Sequence, residues 1–199
     1  MGRRSDHSRD ELYAMALKAA RDIAEEEGLR GLTTRRIAQK IGYTVGTLYN
    51  VFENLDDLIL HLNGTTLDTL YEVCSEVGLD DEPEVAVQAL TECYIRFIRE
   101  HPKRWSILFE HHLPDGRELP EWHNEKVGRL LGLLERALAP LFAPGQEAER
   151  HQSARVLWSS LYGIGALESA SKLGKNVSVE ALSNSLISNY LAGLRIKAA

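Results

Sequence analysis

Apolar residues recur at three- and four-residue spacing along nearly the whole chain, and no stretch alternates with period two for more than a few positions. The pattern predicts an all-α fold. Leu12, Met15, Ala16, Ala19, Ile23 and Ala24 form one stripe, which predicts a helix from about Ser8 to Glu27, stopped by Gly28. Thr33 can cap a short helix in which Ile37, Ala38 and Ile41 share a face, and Gly42 ends it. Thr44 can cap a third short helix at once, with Val45, Leu48 and Phe52 along its length. A break at Glu53 and Asn54 precedes a long helix from Leu55, with Asp56 and Asp57 in its first turn, where exposed N–H groups favour negative charge. Two short helices joined by a glycine-containing turn make a helix-turn-helix, so residues 1–54 read as a three-helix N-terminal domain.

The remaining residues, 55–199, read as a larger helical domain with well-marked stops. The helix from Leu55 runs to about Val77. After a loop at Asp80-Asp81-Glu82-Pro83 the next helix runs to His101, and a short amphipathic piece covers Lys103 to about His111. Leu113 to Pro120 is a loop by its Pro and Gly content. Helices are expected over Glu121–Leu138, Gln146–Leu173 and Ser178–Lys197.

Composition adds limits rather than identity. The 199 residues carry a net charge of −6, with 44% hydrophobic and 26% charged positions, inside the globular range. No apolar run approaches the ~18–20 residues of a membrane span, and no secretory signal is visible, so a cytoplasmic protein with no membrane partner is expected. Cys74 and Cys93 lack CxxC spacing; they read as buried thiols in a reducing compartment, with neither redox nor zinc chemistry implied. Charge is unevenly placed. Residues 1–54 carry nine Lys/Arg against eight Asp/Glu, whereas 55–199 carry fourteen against twenty-one, so any phosphate contact belongs to the first quarter.

The stretch Leu32-Thr-Thr-Arg-Arg-Ile-Ala-Gln-Lys-Ile-Gly42, followed by Gly46-Thr-Leu-Tyr49 and Phe52, resembles the DNA-binding segment of TetR/AcrR-family transcriptional regulators. The residue types suit that role. A short recognition helix enters the major groove with its first turn, and Gly46 lets backbone approach DNA. Thr47 and Tyr49 can each give a hydroxyl to a phosphate, and Thr34 and Arg35 combine exposed N–H groups with a cation. Thr44 and Val45 are expected to face the groove, Val45 against a thymine methyl, and Asn50 is a further phosphate or base candidate. Leu32, Ile37, Ala38, Ile41, Leu48 and Phe52 read as core. Arg3 and Arg4 read as part of an unattached tail, with a minor-groove arm as the alternative.

Three positions depart from the usual family pattern: Tyr43 replaces a smaller aliphatic, Val45 a polar residue, and Leu55 a lysine that meets phosphate. A weaker or more shape-dependent affinity for DNA is expected.

The resemblance implies that the C-terminal domain binds a small-molecule effector and dimerises, so that the homodimer binds a palindromic double-stranded DNA operator, as a repressor released by a hydrophobic or aromatic effector. Trp158, Leu161, Leu182, Leu186 and Tyr190 are the dimer-interface candidates, because the last two helices carry more apolar breadth than one core-facing stripe needs. The ligand-binding candidates are His61, Tyr71, Cys93, Tyr94, Phe97, Trp105, Phe109, His112, Trp122 and Tyr162, aromatics and polar tips on the middle helices, each of which also suits a packed core. His101, His111, His112 and His123 lack metal-ligand spacing, and no metal or cofactor is expected. The sequence carries no GxSxG, HExxH or Walker loop, so no catalytic residue is assigned. An all-helical enzyme or small-molecule carrier with only structural likeness to a DNA-binding head is the alternative, and a ligand-independent DNA-organising protein a third reading.

Overall fold

A computed structural model describes residues 7–79, 82–114 and 116–198. Among the described residues there are nine α-helices and no strand: α1 (Arg9–Glu27), α2 (Thr34–Ile41), α3 (Val45–Leu48), α4 (Leu55–Ser75), α5 (Pro83–Glu100), α6 (Pro102–Glu110), α7 (Glu121–Leu138), α8 (Glu147–Ser169) and α9 (Val179–Ala198). The predicted helices are all present. The last two end and begin differently from the periodicity: α8 stops at Ser169 rather than Leu173, because Ser171 takes a positive φ of 54° and the backbone turns there. Arg3 and Arg4 lie outside the described residues. No helix among the described residues is long and apolar enough to cross a membrane.

The chain divides into two compact units, one comprising residues 1–66 with 101–119, the other 67–100 with 120–199. The sequence suggested a cut at residue 54 with everything after it in one domain; instead the α6 segment packs with the first unit. Its Trp105 and Ile107 are fully buried, and Ile107 joins the cluster formed by Ala20, Ile23, Ile37, Leu48, Phe52, Leu58 and Leu62. Arg104, 4% exposed, pairs with Glu25 at 3.6 Å and donates from Nε to Thr66 Oγ1 at 3.3 Å. A buried guanidinium needs such partners, because an unpaired one would leave its charge desolvated.

The second unit is built from the C-terminal part of α4 together with α5, α7, α8 and α9. Its core is leucine-rich: Leu70, Leu90, Leu130, Leu133, Leu134, Leu138, Leu157 and Leu191 are all buried. Gly165 of α8 sits against α5. A Cβ there would lie 2.7 Å from both Ile98 Cδ1 and Tyr94 Oη, so a larger residue would have to displace these side-chain ends.

Candidate nucleic-acid interface and effector cavity

In the first unit, local chemistry fixes each helix end. Ser8 and Glu11 form a reciprocal capping box at the start of α1. Thr33 Oγ1 accepts from Arg36 N at 3.3 Å to open α2, and Thr44 Oγ1 accepts from Thr47 N at 3.3 Å to open α3. Asn54 Oδ1 accepts from Asp57 N at 2.9 Å to open α4. Gly42 closes α2 in the left-handed region at φ 77°, which a side chain would resist, and its turn leads directly into Thr44. The α1–α2 crossing is further tied by the Arg36–Glu27 ion pair and by Lys40–Asp22 at 3.6 Å. Arg36 holds the Glu27 carboxyl below the usual range.

This framework leaves a polar row outside. Arg35, Thr44, Gly46, Tyr49 and Asn50 are exposed and Thr34 and Thr47 half-buried, while Ile37, Ala38, Leu48 and Phe52 behind them are buried. Arg35 has no ion-pair partner among the described residues, in contrast to Arg36. Tyr49, at 51% exposure, is a large ring that the core does not use. These seven of the eight candidate DNA contacts are thus at least partly open to solvent. Val45 is half-buried, as Thr34 and Thr47 are, and packs against the hydrophobic cluster. Leu55 packs against the same cluster, which is the physical reason an apolar residue suits that position. Tyr43 shares a 2.6 Å hydrogen bond with His7 Nδ1, joining the turn to the residue just before α1.

The effector candidates scatter. His61 belongs to the first unit, where it hydrogen-bonds Tyr13 at 3.0 Å and faces Asp57 at 3.5 Å. Trp105 and Phe109 lie there too, edge to face at 5.4 Å, and exposed His112 follows them. In the second unit Tyr71 lies under the Arg129 guanidinium at 4.2 Å, Phe97 is buried in the core, and Trp122 packs on His123. The cavity in this unit is instead lined by Leu70 and Cys74 of α4, Leu90, Thr91 and Tyr94 of α5, Leu130, Leu133 and Leu134 of α7, and Trp158 and Leu161 of α8. Of the ten candidates it takes only Tyr94; Cys93 and Tyr162 stand beside lining residues, against Cys74 and Trp158. The cavity volume is about 30 Å³. That is roughly the liquid share of one water molecule. Burial pushes the Tyr94 hydroxyl well above its usual value, so it stays protonated and donates to the Leu161 carbonyl at 3.4 Å.

Sequence reasoning missed the leucines because any i, i+4 leucine reads as core; what marks them is only which helices meet. It also separated two residues that the fold unites. Cys74 Sγ donates to Cys93 Sγ at 3.4 Å, although 19 positions part them in sequence and neither lies in a CxxC pattern.

The dimer candidates divide as well. Leu161, 5% exposed, and half-buried Trp158 both line the cavity of the unit. Leu182 is exposed, Leu186 half-buried, and Tyr190 lines a surface groove of about 750 Å³ with Val156, Gln152, Gly193 and Leu194 of α8 and α9. Val156 is an interface candidate that the sequence did not single out. Among the described residues no group of three or more His, Cys, Asp or Glu side chains could hold a metal ion.

Comparison with known proteins gives one consistent result. Residues 16–62 match the family model described as bacterial regulatory proteins, tetR family, and residues 87–190 match a tetracyclin repressor-like C-terminal domain. A curated but uncharacterized HTH-type transcriptional regulator of Mycobacterium tuberculosis is 24% identical over 89% of this chain and 79% of its own length. Among solved structures, a tetR-family transcriptional regulator from Streptomyces coelicolor superposes with a TM-score of 0.69 at 16% identity, covering 100% of this chain and 84% of that one. FadR of Bacillus subtilis, solved in complex with stearoyl-CoA, gives 0.69 at 16% identity over 91% of this chain and 98% of its own.

Proposed function

The chain belongs to the TetR family of transcriptional regulators, whose two models together span most of it, and from that premise we propose a homodimeric, cytoplasmic repressor that an apolar effector releases from a palindromic operator. The polar row over a capped, tightly packed head carries this reading. Thr34, Arg35, Thr44, Gly46, Thr47, Tyr49 and Asn50 are offered to DNA by helices whose ends are already fixed, so little ordering remains to oppose binding. Tyr49 and Thr47 hold phosphate while Arg35 and Asn50 reach base edges or backbone. Two recognition helices about one DNA turn apart, ~34 Å, would read a palindrome, which is why the protein must pair. We place that pairing on the α8–α9 groove around Tyr190, with exposed Leu182 and half-buried Leu186 on the same helix.

The division expected at residue 54 is kept here as a division of labour: DNA contacts before it, effector and dimer functions after it. The effector enters the leucine-lined cavity, whose walls favour an aliphatic or aromatic body with Thr91 and Tyr94 as polar fixing points. At about 30 Å³ the cavity is far below the roughly 300–1,000 Å³ of a ligand site, so occupancy must part α5, α7 and α8. Because α4 supplies both cavity residues and, through Leu55 and Leu58, the packing of the head, parting the helices biases the head between two arrangements. Long-chain acyl compounds are suitable first probes, given the aliphatic lining and the stearoyl-CoA bound by FadR.

Selection of bound fragments from sheared genomic DNA tests the function. Enrichment of a palindrome supports the reading, and no enrichment even at low salt favours an enzyme or carrier. A salt titration on the enriched site then counts phosphate contacts, each contributing about 0.9 to the slope. With Leu55 packed against the head cluster where a lysine would meet phosphate, a shallow slope is expected.

A further inference from the structure

Cys74 and Cys93 are buried at 4% and 2% exposure, and their sulfurs stand 3.4 Å apart, within about 1.4 Å of S–S bonding distance. They lie on successive helices, α4 and α5, so closing that gap needs only small movement of two neighbouring elements. Cys74 also lines the cavity, whose volume of about 30 Å³ admits a molecule little larger than water. Cavity access makes this pair differ from an ordinary buried thiol, which no oxidant reaches.

We propose that Cys74 and Cys93 form a reactive dithiol for small hydroperoxides, which convert the pair into an intramolecular disulfide joining α4 to α5 at the cavity wall. In the first step one sulfur of the pair, as its thiolate, attacks a peroxide oxygen at the cavity wall; the S–O bond forms, the O–O bond breaks, and the departing alkoxide or hydroxide takes up the proton that the thiol had released. The second sulfur then attacks the sulfenic acid, the S–O bond breaks, and hydroxide leaves with the second thiol's proton as water. Two thiols are oxidised, one peroxide is reduced, and one alcohol and one water are released, or two waters from hydrogen peroxide. Cys74 gives the pair its access to the cavity, and the hydrogen bond from Cys74 together with the positive field of Arg96 lowers the Cys93 thiol to about 7, which favours a thiolate within the pair.

The test is exposure of the reduced full-length protein to a small excess of hydrogen peroxide, followed by denaturation, thiol titration and intact mass. The expected result is loss of both titratable thiols with the mass falling by two hydrogens, no species of doubled chain mass on a non-reducing gel, and full recovery with dithiothreitol. Cys74→Ala and Cys93→Ala should each form no intramolecular disulfide, the remaining thiol giving at most a sulfenic acid that dimedone traps. Both thiols surviving, crosslinks between chains, or oxidation of the wild type that dithiothreitol does not reverse would each overturn the proposal. None of these readouts involves DNA, so the proposal stands or falls apart from the repressor reading.

Discussion

The two compact units differ in how their helices begin. In the unit that carries the helix-turn-helix, α1, α2, α3 and α4 each begin on a side-chain cap, from Ser8, Thr33, Thr44 and Asn54, and α6 begins without one. In the other unit Ser178 caps α9, but α7 begins at Pro120 and α8 at Gln146 with no side-chain cap, and leucines pack around a small cavity. Caps are directional and fix where a helix starts, whereas leucine contacts are non-directional and survive sliding by an ångström or so. A surface that must match the fixed spacing of phosphates benefits from the first; a cavity that must open for a ligand benefits from the second.

Four substitutions probe that contrast, beginning with the most damaging. Phe52→Ala removes a 2%-exposed ring from the head cluster and should cost about 3–5 kcal/mol, abolishing DNA binding as the head unfolds in a thermal melt. Gly165→Ala should destabilise the second unit by about 1–3 kcal/mol, because the added Cβ meets the ends of the Tyr94 and Ile98 side chains; denaturant titration would show it, and a neutral result would mean that these side chains give way. Thr44→Ala should cost about 1 kcal/mol through the lost cap of α3, and Thr44→Ser should restore it.

A smaller effect separates the units by pH. Burial pulls the His123 imidazole below its ordinary 6.5, and its Nδ1 has no hydrogen-bond partner. The folded protein therefore binds this proton less readily than the unfolded chain. Its contribution is fully present above pH 6.5 and is lost as pH falls from there toward the depressed folded value. Melting temperature should decline as pH drops below neutrality, and His123→Gln should make that decline shallower.

How much could be read beforehand follows the same contrast. Thr33, Gly42 and Thr44 declare the helix-turn-helix because caps and left-handed turns are local, decided within four residues of chain. Helix boundaries set by Pro and Gly, such as the start of α7 at Glu121, were legible for the same reason. The cavity was not, since the periodicity of Leu130, Leu133 and Leu134 says that a face is buried and not what buries it. His61, Trp105 and Phe109 were effector candidates as aromatics and polar tips on the middle helices; the fold places them in the unit that carries the helix-turn-helix, where Ile107 and Arg104 anchor the neighbourhood of the last two. Val45, expected to face the groove, is half-buried with its side chain packed against the head cluster, a contact that its position in the motif does not announce.

The measurement that tests the division of labour most directly is made on Tyr49→Ala, using fluorescence anisotropy on the selected operator beside a thermal melt and a titration with an apolar probe. Tyr49 is exposed at the end of α3, so melting should change by no more than about 0.5 kcal/mol and probe binding not at all. Operator affinity should fall by about 1.5 kcal/mol, roughly tenfold, for each half-site. A variant that binds the operator like the wild type, or one that loses DNA and probe together, would contradict the account.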